Sequence, residues 1–428
     1  MEQENPRDGG RQKPHVVFCP SPITMGHVRP MMDLAIKLVT HHGFSVTVIT
    51  TKGKTATERY ASYLQALSSS TSDDVIRLLE LPELIDDSNR EEAESYPRHP
   101  LLVYLYWVEK SKEALQQLLQ DLLRSSTSPI CAFLTDFFHM AALDVTTQLS
   151  IPTYLFHLSS AANVCLKLYL PKFAEDQPDF VDRPDAVLQI PGLRPLATRD
   201  LPSSFLDKSC PTVPNEYVAL CSRLRQVTGI FINSFAELEE EAIRALRDPK
   251  DEKMPAIYPI GPILCSLLVE EAGKDGTRCL GWLDKQRDSS VLYIAFGSVA
   301  SMSVKQVREI AWGLEGSGRC FLWVLQGRFL DEEKSRDPEE VFSQFLAEGF
   351  QTRIRDRGLV VSSWVPQIRI LAHPSIGGFV SHCGWNSLLE GIWNGVPFAA
   401  WPLQAEQPMN RLFIVDELEI GLEARMDG

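Results

Sequence analysis

The sequence predicts an α/β protein made of two Rossmann-like, doubly wound halves. Three observations carry this. Short apolar runs suited to buried strands alternate with segments whose apolar residues recur at helical spacing, the pattern of βαβ crossovers and a parallel sheet. At 428 residues the chain is long for one core and suits two domains. A polar stretch at 268–277, rich in Glu, Gly, Lys and Asp, is the best linker candidate and divides the chain into residues 1–267 and 268–428.

Bulk properties exclude several classes. The hydrophobic content of 44% is ordinary for a globular protein. A net charge of −14 disfavours a general nucleic-acid surface or adhesion to anionic membranes. The polar start MEQENPRDGGRQKP has no apolar h-region, and no run of about 18 apolar residues suggests a membrane span. The nine cysteines are scattered without CxxC pairs. They read as packed, reduced thiols of a cytoplasmic protein, and no zinc spacing is present around His382–Cys383, so no metal is expected. Neither a G-x-G-x-x-G fingerprint after a strand nor a P-loop occurs.

In chain order, residues 15–19 form an apolar strand, followed by the loop PSPITMGH, a helix from about 29 to 41 and a strand at 44–50. That order opens a βαβ unit and puts His27 at the carboxyl end of the first strand, beside a helix entrance. By itself such a His suits local capping as well as chemistry. Residues 75–80 suit a strand and 101–123 a long helix. Near the start of that helix Tyr104, Tyr106 and Trp107 fit core packing or an acceptor pocket. A strand at 130–135 ends at Asp136, which suits a helix N-cap. A helix at 140–149 and a strand at 153–157 follow. Residues 171–209 read as surface loops. Then come a helix at 213–226, a strand at 229–234, an acidic helix at 237–247 and a strand at 256–262.

The second half opens with a helix at 277–286 and a strand at 291–296. The turn Gly297–Ser298 leads to a helix from about 304 to 314. A strand at 319–326 and a charged, solvated stretch at 326–351 precede the most informative region. There, strands at 358–363, 376–381 and 397–401 deliver polar landmarks to one sheet edge. Trp364 offers a flat face for a base. In 385–395 the residues Trp385, Leu388, Leu389, Ile392 and Trp393 make one apolar stripe, and Glu390 falls off it. Asn386 and Ser387 stand in the first turn after Gly384, where free N–H groups attract phosphate. His382 adds a donor, and Glu390 suits paired ribose hydroxyls. Glu406 and Gln407 are left for something polyhydroxylated beyond a diphosphate. A helix at 406–417 and a possible strand at 420–425 close the chain.

The stretch WVPQIRILAHPSIGGFVSHCGWNSLLEGIWNGVPFAAWPLQAEQ resembles the signature box of plant-type UDP-dependent glycosyltransferases (family 1, GT-B fold) over its full length. The resemblance implies two Rossmann-like domains facing across a cleft. It implies that Trp364 stacks on uracil, that the Val365 backbone and Gln367 contact the nucleoside, and that Ser298 in the FGS turn, His382, Asn386 and Ser387 hold the phosphates. Glu390 takes the ribose, and Trp385, Glu406 and Gln407 take the sugar. Gln404 stands where the family usually has an aromatic residue. The GH segment at His27 and the segments LTDFF and IPTYLF resemble the family's general base and the Asp that orients it, here Asp136. The family also continues for several elements beyond the point where this chain ends, which leaves 420–425 as an expected exposed edge.

The expected function is therefore inverting transfer of glucose from UDP-glucose, as co-substrate, to a hydroxyl of a small lipophilic, phenolic acceptor, in the manner of plant secondary metabolism. Neither a cofactor nor a metal is needed, and a monomer is expected. Gln at the end of the box goes with glucose in the resembling family. The competing readings are a UDP-sugar-binding pseudo-enzyme or inactive fragment, and, from another enzyme class, a nucleotide-sugar epimerase.

Overall fold

The computed structural model describes residues 13–21, 25–51, 76–82, 99–125, 128–177, 182–247, 254–264, 274–297, 302–325, 346 and 349–424. Ser298, most of the charged stretch 326–351 and part of the expected linker lie outside them. The chain forms two compact units. One comprises Met1–Glu175 with Ser209–Ile263, the other Asp176–Lys208 with Leu264–Gly428. The division thus falls at 263/264 rather than 267/268, and the segment 176–208, placed by the sequence in the first half, groups with the second unit.

The first unit holds strands β1 (His15–Cys19), β2 (Ser45–Thr51), β3 (Ile76–Leu81), β4 (Ile130–Thr135) and β5 (Thr153–His157). The short antiparallel pair β6 (Val187–Leu188) and β7 (Leu196–Ala197) belongs to the second unit. The chain then returns with β8 (Gly229–Ile232) and β9 (Ala256–Pro259). These seven strands form a sheet in the order β3-β2-β1-β4-β5-β8-β9, and every pairing is parallel. The order reverses between β1 and β4, the topological switch point at which such sheets bind ligands. Val17, Ile49 and Phe133 of the sheet pack on Leu115, Leu119 and Leu122 of the helix Lys112–Ser125, whose apolar residues recur at helical spacing.

The second sheet contains β10 (Val291–Ala295), β11 (Cys320–Val324), β12 (Gly358–Val361), β13 (Ile376–Ser381), β14 (Phe398–Ala400) and β15 (Gly421–Glu423). Its order is β12-β11-β10-β13-β14-β15, again all parallel. Here the switch point lies between β10 and β13. Trp323, Phe321 and Phe350 are fully buried in its core beside Val307 and Ala311 of the helix Val304–Ser317. That helix starts on a capping box between Ser303 and Gln306 and stops at Gly318, whose φ of 65° is left-handed. β15 is an edge strand, and its Leu422 is 77% exposed.

Three local readings change. The helix after β1 begins at Met25, not near 29, so His27 stands in its first turn and Pro30 inside it. The long helix expected at 101–123 is two, Pro100–Lys110 and Lys112–Ser125, broken at Ser111, whose hydroxyl donates to the Val108 carbonyl. An unexpected helix, Ala161–Asp176, runs through Pro171. Its first turn is capped from far along the chain: the Glu239 carboxylate accepts from the Ala161 and Ala162 N–H groups at 2.9 and 3.0 Å.

Candidate active site

In the first unit Cys19 and Thr135 are register partners at the ends of β1 and β4. The residues that follow therefore emerge side by side, which brings His27 to Asp136. The His27 Nδ1 lies 3.3 Å from Asp136 Oδ2, with the imidazole 22% and the carboxylate 1% exposed. The Nδ1–H is poorly aligned on the carboxylate, so the two groups are in close contact without an ideal hydrogen-bond geometry. Asp136 is fixed from its other side. The Ser21 N–H donates to Oδ2 at 2.7 Å, the Ser21 hydroxyl donates to Oδ1, and the Phe138 N–H donates to Oδ1 at 3.0 Å. The last bond makes Asp136 the N-cap of the short 3-10 helix Phe137–His139, so capping and orientation of His27 coexist. Burial pushes the Asp136 carboxyl up, but the His27 ring and the Ser21 donors outweigh it and hold the group below the usual carboxylate range.

Aromatic rings surround this pair. The His27 and Phe138 ring centroids are 5.4 Å apart, and Phe137 and Tyr217 continue the cluster at 5.0 Å. Tyr217, from the helix Thr212–Arg223, carried no sequence signal beyond helical spacing. Trp107 is core, and the Tyr104 hydroxyl lies 3.2 Å from His139 Nδ1, behind Asp136.

In the second unit Ala295 and Ser381 are register partners at the ends of β10 and β13. The turns after them, Phe296–Gly297 and His382–Gly384, emerge together. The half-buried His382 ring is seated between two glycines: a Cβ on Gly297 or Gly384 would lie 2.6 or 2.4 Å from its Nε2. Gly297 also has a left-handed φ of 76°. Burial pushes the imidazole down to about 4, against a small upward pull from the Ala295 carbonyl. At neutral pH His382 thus offers a hydrogen-bonding nitrogen rather than a charge. Cys383 adopts a φ of 63°, and the turn is tied by its N–H donating to Ser381 Oγ at 3.1 Å and by Asn410 Nδ2 donating to its carbonyl at 2.9 Å.

The helix Trp385–Trp393 starts from Gly384 without a side-chain cap. Asn386 and Ser387 stand in its first turn, where the backbone N–H groups are unsatisfied within the helix. Glu390, one turn on, is 5% exposed. Gln367 positions it. The Gln367 Nε2 donates to Glu390 Oε2 at 2.6 Å and to Ser387 Oγ at 3.0 Å, and its Oε1 accepts from the Tyr293 hydroxyl at 3.1 Å. Gln367 is therefore a bracket between strand β10 and the helix, and Tyr293 is a supporting residue the sequence did not reveal. Trp364 is 41% exposed and presents its ring, while Val365 is buried. The Trp385 ring is buried against Phe413. The Gln407 Oε1 accepts from the Leu403 and Gln404 N–H groups at 2.8 Å each, which leaves Nε2 outside these two bonds. Glu406 precedes it as the N-cap residue of the helix Gln407–Leu412.

The segment 176–208 reaches this loop. The Ser203 N–H donates to the Ala405 carbonyl at 3.0 Å, and the Ala405 N–H donates to Ser203 Oγ at 2.8 Å. Arg411 pairs with Asp200 at 3.0 Å, both side chains being largely buried. Among the described residues no group of three or more His, Cys, Asp or Glu is arranged to hold a metal ion, and no helix is long and apolar enough to cross a membrane.

Two doubly wound units, one with a His–Asp pair and the other with a nucleotide-type helix N-terminus, define a nucleotide-sugar-dependent transferase. A family profile described as "UDP-glucoronosyl and UDP-glucosyl transferase" matches residues 205–417. UDP-glycosyltransferase 88B1 of Stevia rebaudiana is 37% identical over 415 residues, 96% of this chain and 86% of that protein. Phloretin 2'-O-glucosyltransferase of Pyrus communis is 37% identical over 434 residues, 96% of this chain and 86% of that one. The structure of Phytolacca americana UGT2 complexed with UDP-2fluoro-glucose and pterostilbene superposes with a TM-score of 0.81 at 33% identity, covering 98% of this chain and 86% of that one. The chain belongs to the plant UDP-glycosyltransferase family, with the GT-B type of α/β fold, and is a UDP-sugar-dependent glycosyltransferase acting on small acceptors.

Proposed function

We propose that this enzyme transfers glucose from UDP-glucose to a phenolic hydroxyl with inversion, using His27 as general base and Asp136 as its orienting partner. The observation that carries the reading is the 3.3 Å contact between His27 Nδ1 and Asp136 Oδ2 at the switch point of the first sheet. With Nδ1 turned to the carboxylate, Nε2 is the nitrogen that takes the acceptor's proton. A phenol titrates near ~10 and an ordinary imidazole near ~6.5, so proton removal has to accompany attack on the anomeric carbon. Asp136, kept ionised by Ser21 and His27, stabilises the imidazolium that forms.

On the donor side Trp364 stacks on the base, Glu390 accepts from the ribose, and the diphosphate lies on the first turn of the helix Trp385–Trp393 with Asn386, Ser387, His382 and Ser298. The neutral His382 and the backbone N–H groups meet the charge that grows on the leaving UDP. Glu406 and the Gln407 amide hold the sugar. No cation stands among these sugar-side residues to favour a glucuronate, and the structure of the Phytolacca americana relative is a complex with UDP-2fluoro-glucose. The rings of Phe137, Phe138 and Tyr217 suit a flat acceptor, and a named relative acts on phloretin.

A single displacement from an α-linked donor gives a β-glucoside. Incubation with UDP-glucose and a panel of phenols, read by mass and by the anomeric proton coupling, should yield a β-O-glucoside and one UDP per product. An α-glucoside would overturn inversion, and binding of UDP-glucose without any adduct would favour a purely sugar-binding role.

A further inference from the structure

A chain of hydrogen bonds runs from the core of the second sheet to the carboxylate assigned to the ribose. It starts at Tyr293, in the middle of β10, which is 1% exposed. Phe379 of β13 is its register partner, and the two ring centroids are 5.0 Å apart, so packing fixes where the phenol points. The Tyr293 hydroxyl donates to Gln367 Oε1 at 3.1 Å. Gln367 Nε2 donates to Ser387 Oγ at 3.0 Å and to Glu390 Oε2 at 2.6 Å. A primary amide has one carbonyl oxygen and two N–H donors. These three bonds engage the oxygen and give each N–H a partner.

The orientation of that amide matters. Turned end for end, it would set its carbonyl oxygen against the Glu390 carboxylate, acceptor against acceptor, where a hydrogen bond now lies. The Tyr293 hydroxyl favours the observed orientation, because only then does its O–H meet an oxygen. Without that donor the Gln367 carbonyl loses its partner in the core, and the amide is released to turn towards another. Glu390 is nearly buried, so its position follows the groups that donate to it. A carboxylate held in place before the ligand arrives binds more tightly than one that must be ordered on binding.

We propose that Tyr293 is a specificity-determining positioning residue. By fixing the Gln367 amide it holds Glu390 where the carboxylate accepts from the paired ribose hydroxyls, and so makes the enzyme select ribonucleotide over 2'-deoxyribonucleotide donors. Gln367 then serves the nucleoside through Glu390. The proposal rests on Glu390 being the acceptor for the ribose and adds what orients it.

The test is calorimetric titration of UDP and of 2'-deoxy-UDP into the wild-type enzyme, Tyr293→Phe and Glu390→Ala. The wild type should bind UDP more tightly by roughly 10- to 100-fold, the worth of a hydrogen bond to a charged group. Tyr293→Phe keeps the ring against Phe379 and removes only the donor. The ratio should shrink in this variant by roughly 3- to 10-fold, through weaker binding of UDP. A general loosening of the fold would weaken both nucleotides alike and leave the ratio as it was. An unchanged ratio in Tyr293→Phe would therefore overturn the proposal. Glu390→Ala separates the two claims and should abolish the preference. If it does so while Tyr293→Phe keeps the preference, the role of Tyr293 falls and the ribose assignment stands. If the wild type shows no preference, or Glu390→Ala retains it, the ribose assignment falls and the proposal with it.

Discussion

At the scale of single residues, burial decides the charge of three histidines. Burial pushes His139 down to about 4, with Asp136 pulling weakly the other way, and His382 likewise to about 4. His157 is lowered further by Lys167 and His27. In the unfolded chain each titrates near 6.5, so between that value and about 4 the unfolded state binds more protons than the native one. These groups therefore leave stability intact above pH 6.5 and cost it progressively as pH falls towards 4, each of the first two by roughly 3 kcal/mol in full. Asp136 acts in a lower window, because its depressed carboxyl stays ionised there. Thermal melts should show Tm rising from pH 4.5 to 7, and His382→Gln should flatten part of that rise. An unchanged slope in the variant would mean that His382 is already protonated in the native state. Strand and helix periodicity put His27 and Asp136 at strand ends and Glu390 off the apolar stripe, but it was the family resemblance that singled out His27 and Asp136 as candidates for chemistry. The sequence was silent on charge state, Ser21 and Tyr293, since burial and contacts between distant strands have no local signature.

At the scale of elements, the loop Gln404–Gln407 depends on a segment some two hundred residues earlier. Ala405 has a φ of 53°, unfavourable for a residue with a Cβ. The reciprocal bonds to Ser203 and the Arg411–Asp200 pair hold the loop in that shape. Ser203→Ala removes one of these bonds, worth about 1 kcal/mol. It should weaken UDP-glucose by up to roughly fivefold while changing UDP affinity far less, because in the proposed binding mode only the sugar reaches Glu406 and Gln407. Calorimetry with both ligands checks this, and equal losses would show that the clamp does not serve the sugar. The clamp was invisible in sequence, where 171–209 reads as surface loop with weak periodicity. The same limit hid the helix Ala161–Asp176, whose cap comes from Glu239 and whose pattern is interrupted by Pro171. By contrast, β1, β4, β5 and β13 coincide with the expected bounds, since short β-branched or aromatic runs flanked by turn residues leave little choice.

At the scale of the whole molecule, one rule is used twice. Each unit is built on a parallel sheet, and each delivers its candidate site residues at its own switch point: His27 and Asp136 beyond β1 and β4, Gly297 and His382 beyond β10 and β13. That much was legible, because alternating strand and helix patterns dictate parallel sheets and parallel sheets dictate where ligands bind. Where the segment 176–208 belongs was not, because packing rather than chain order assigns it. The proposed division of labour gives chemistry to the first unit and donor binding to the second. Replacing His27 with alanine, and measuring both turnover and UDP-glucose affinity, tests it most directly. Turnover with a phenol should fall by roughly 10²- to 10⁴-fold while the Kd for UDP-glucose stays within about twofold, the margin expected where no contact to the donor is lost. Turnover close to that of the wild type would contradict it.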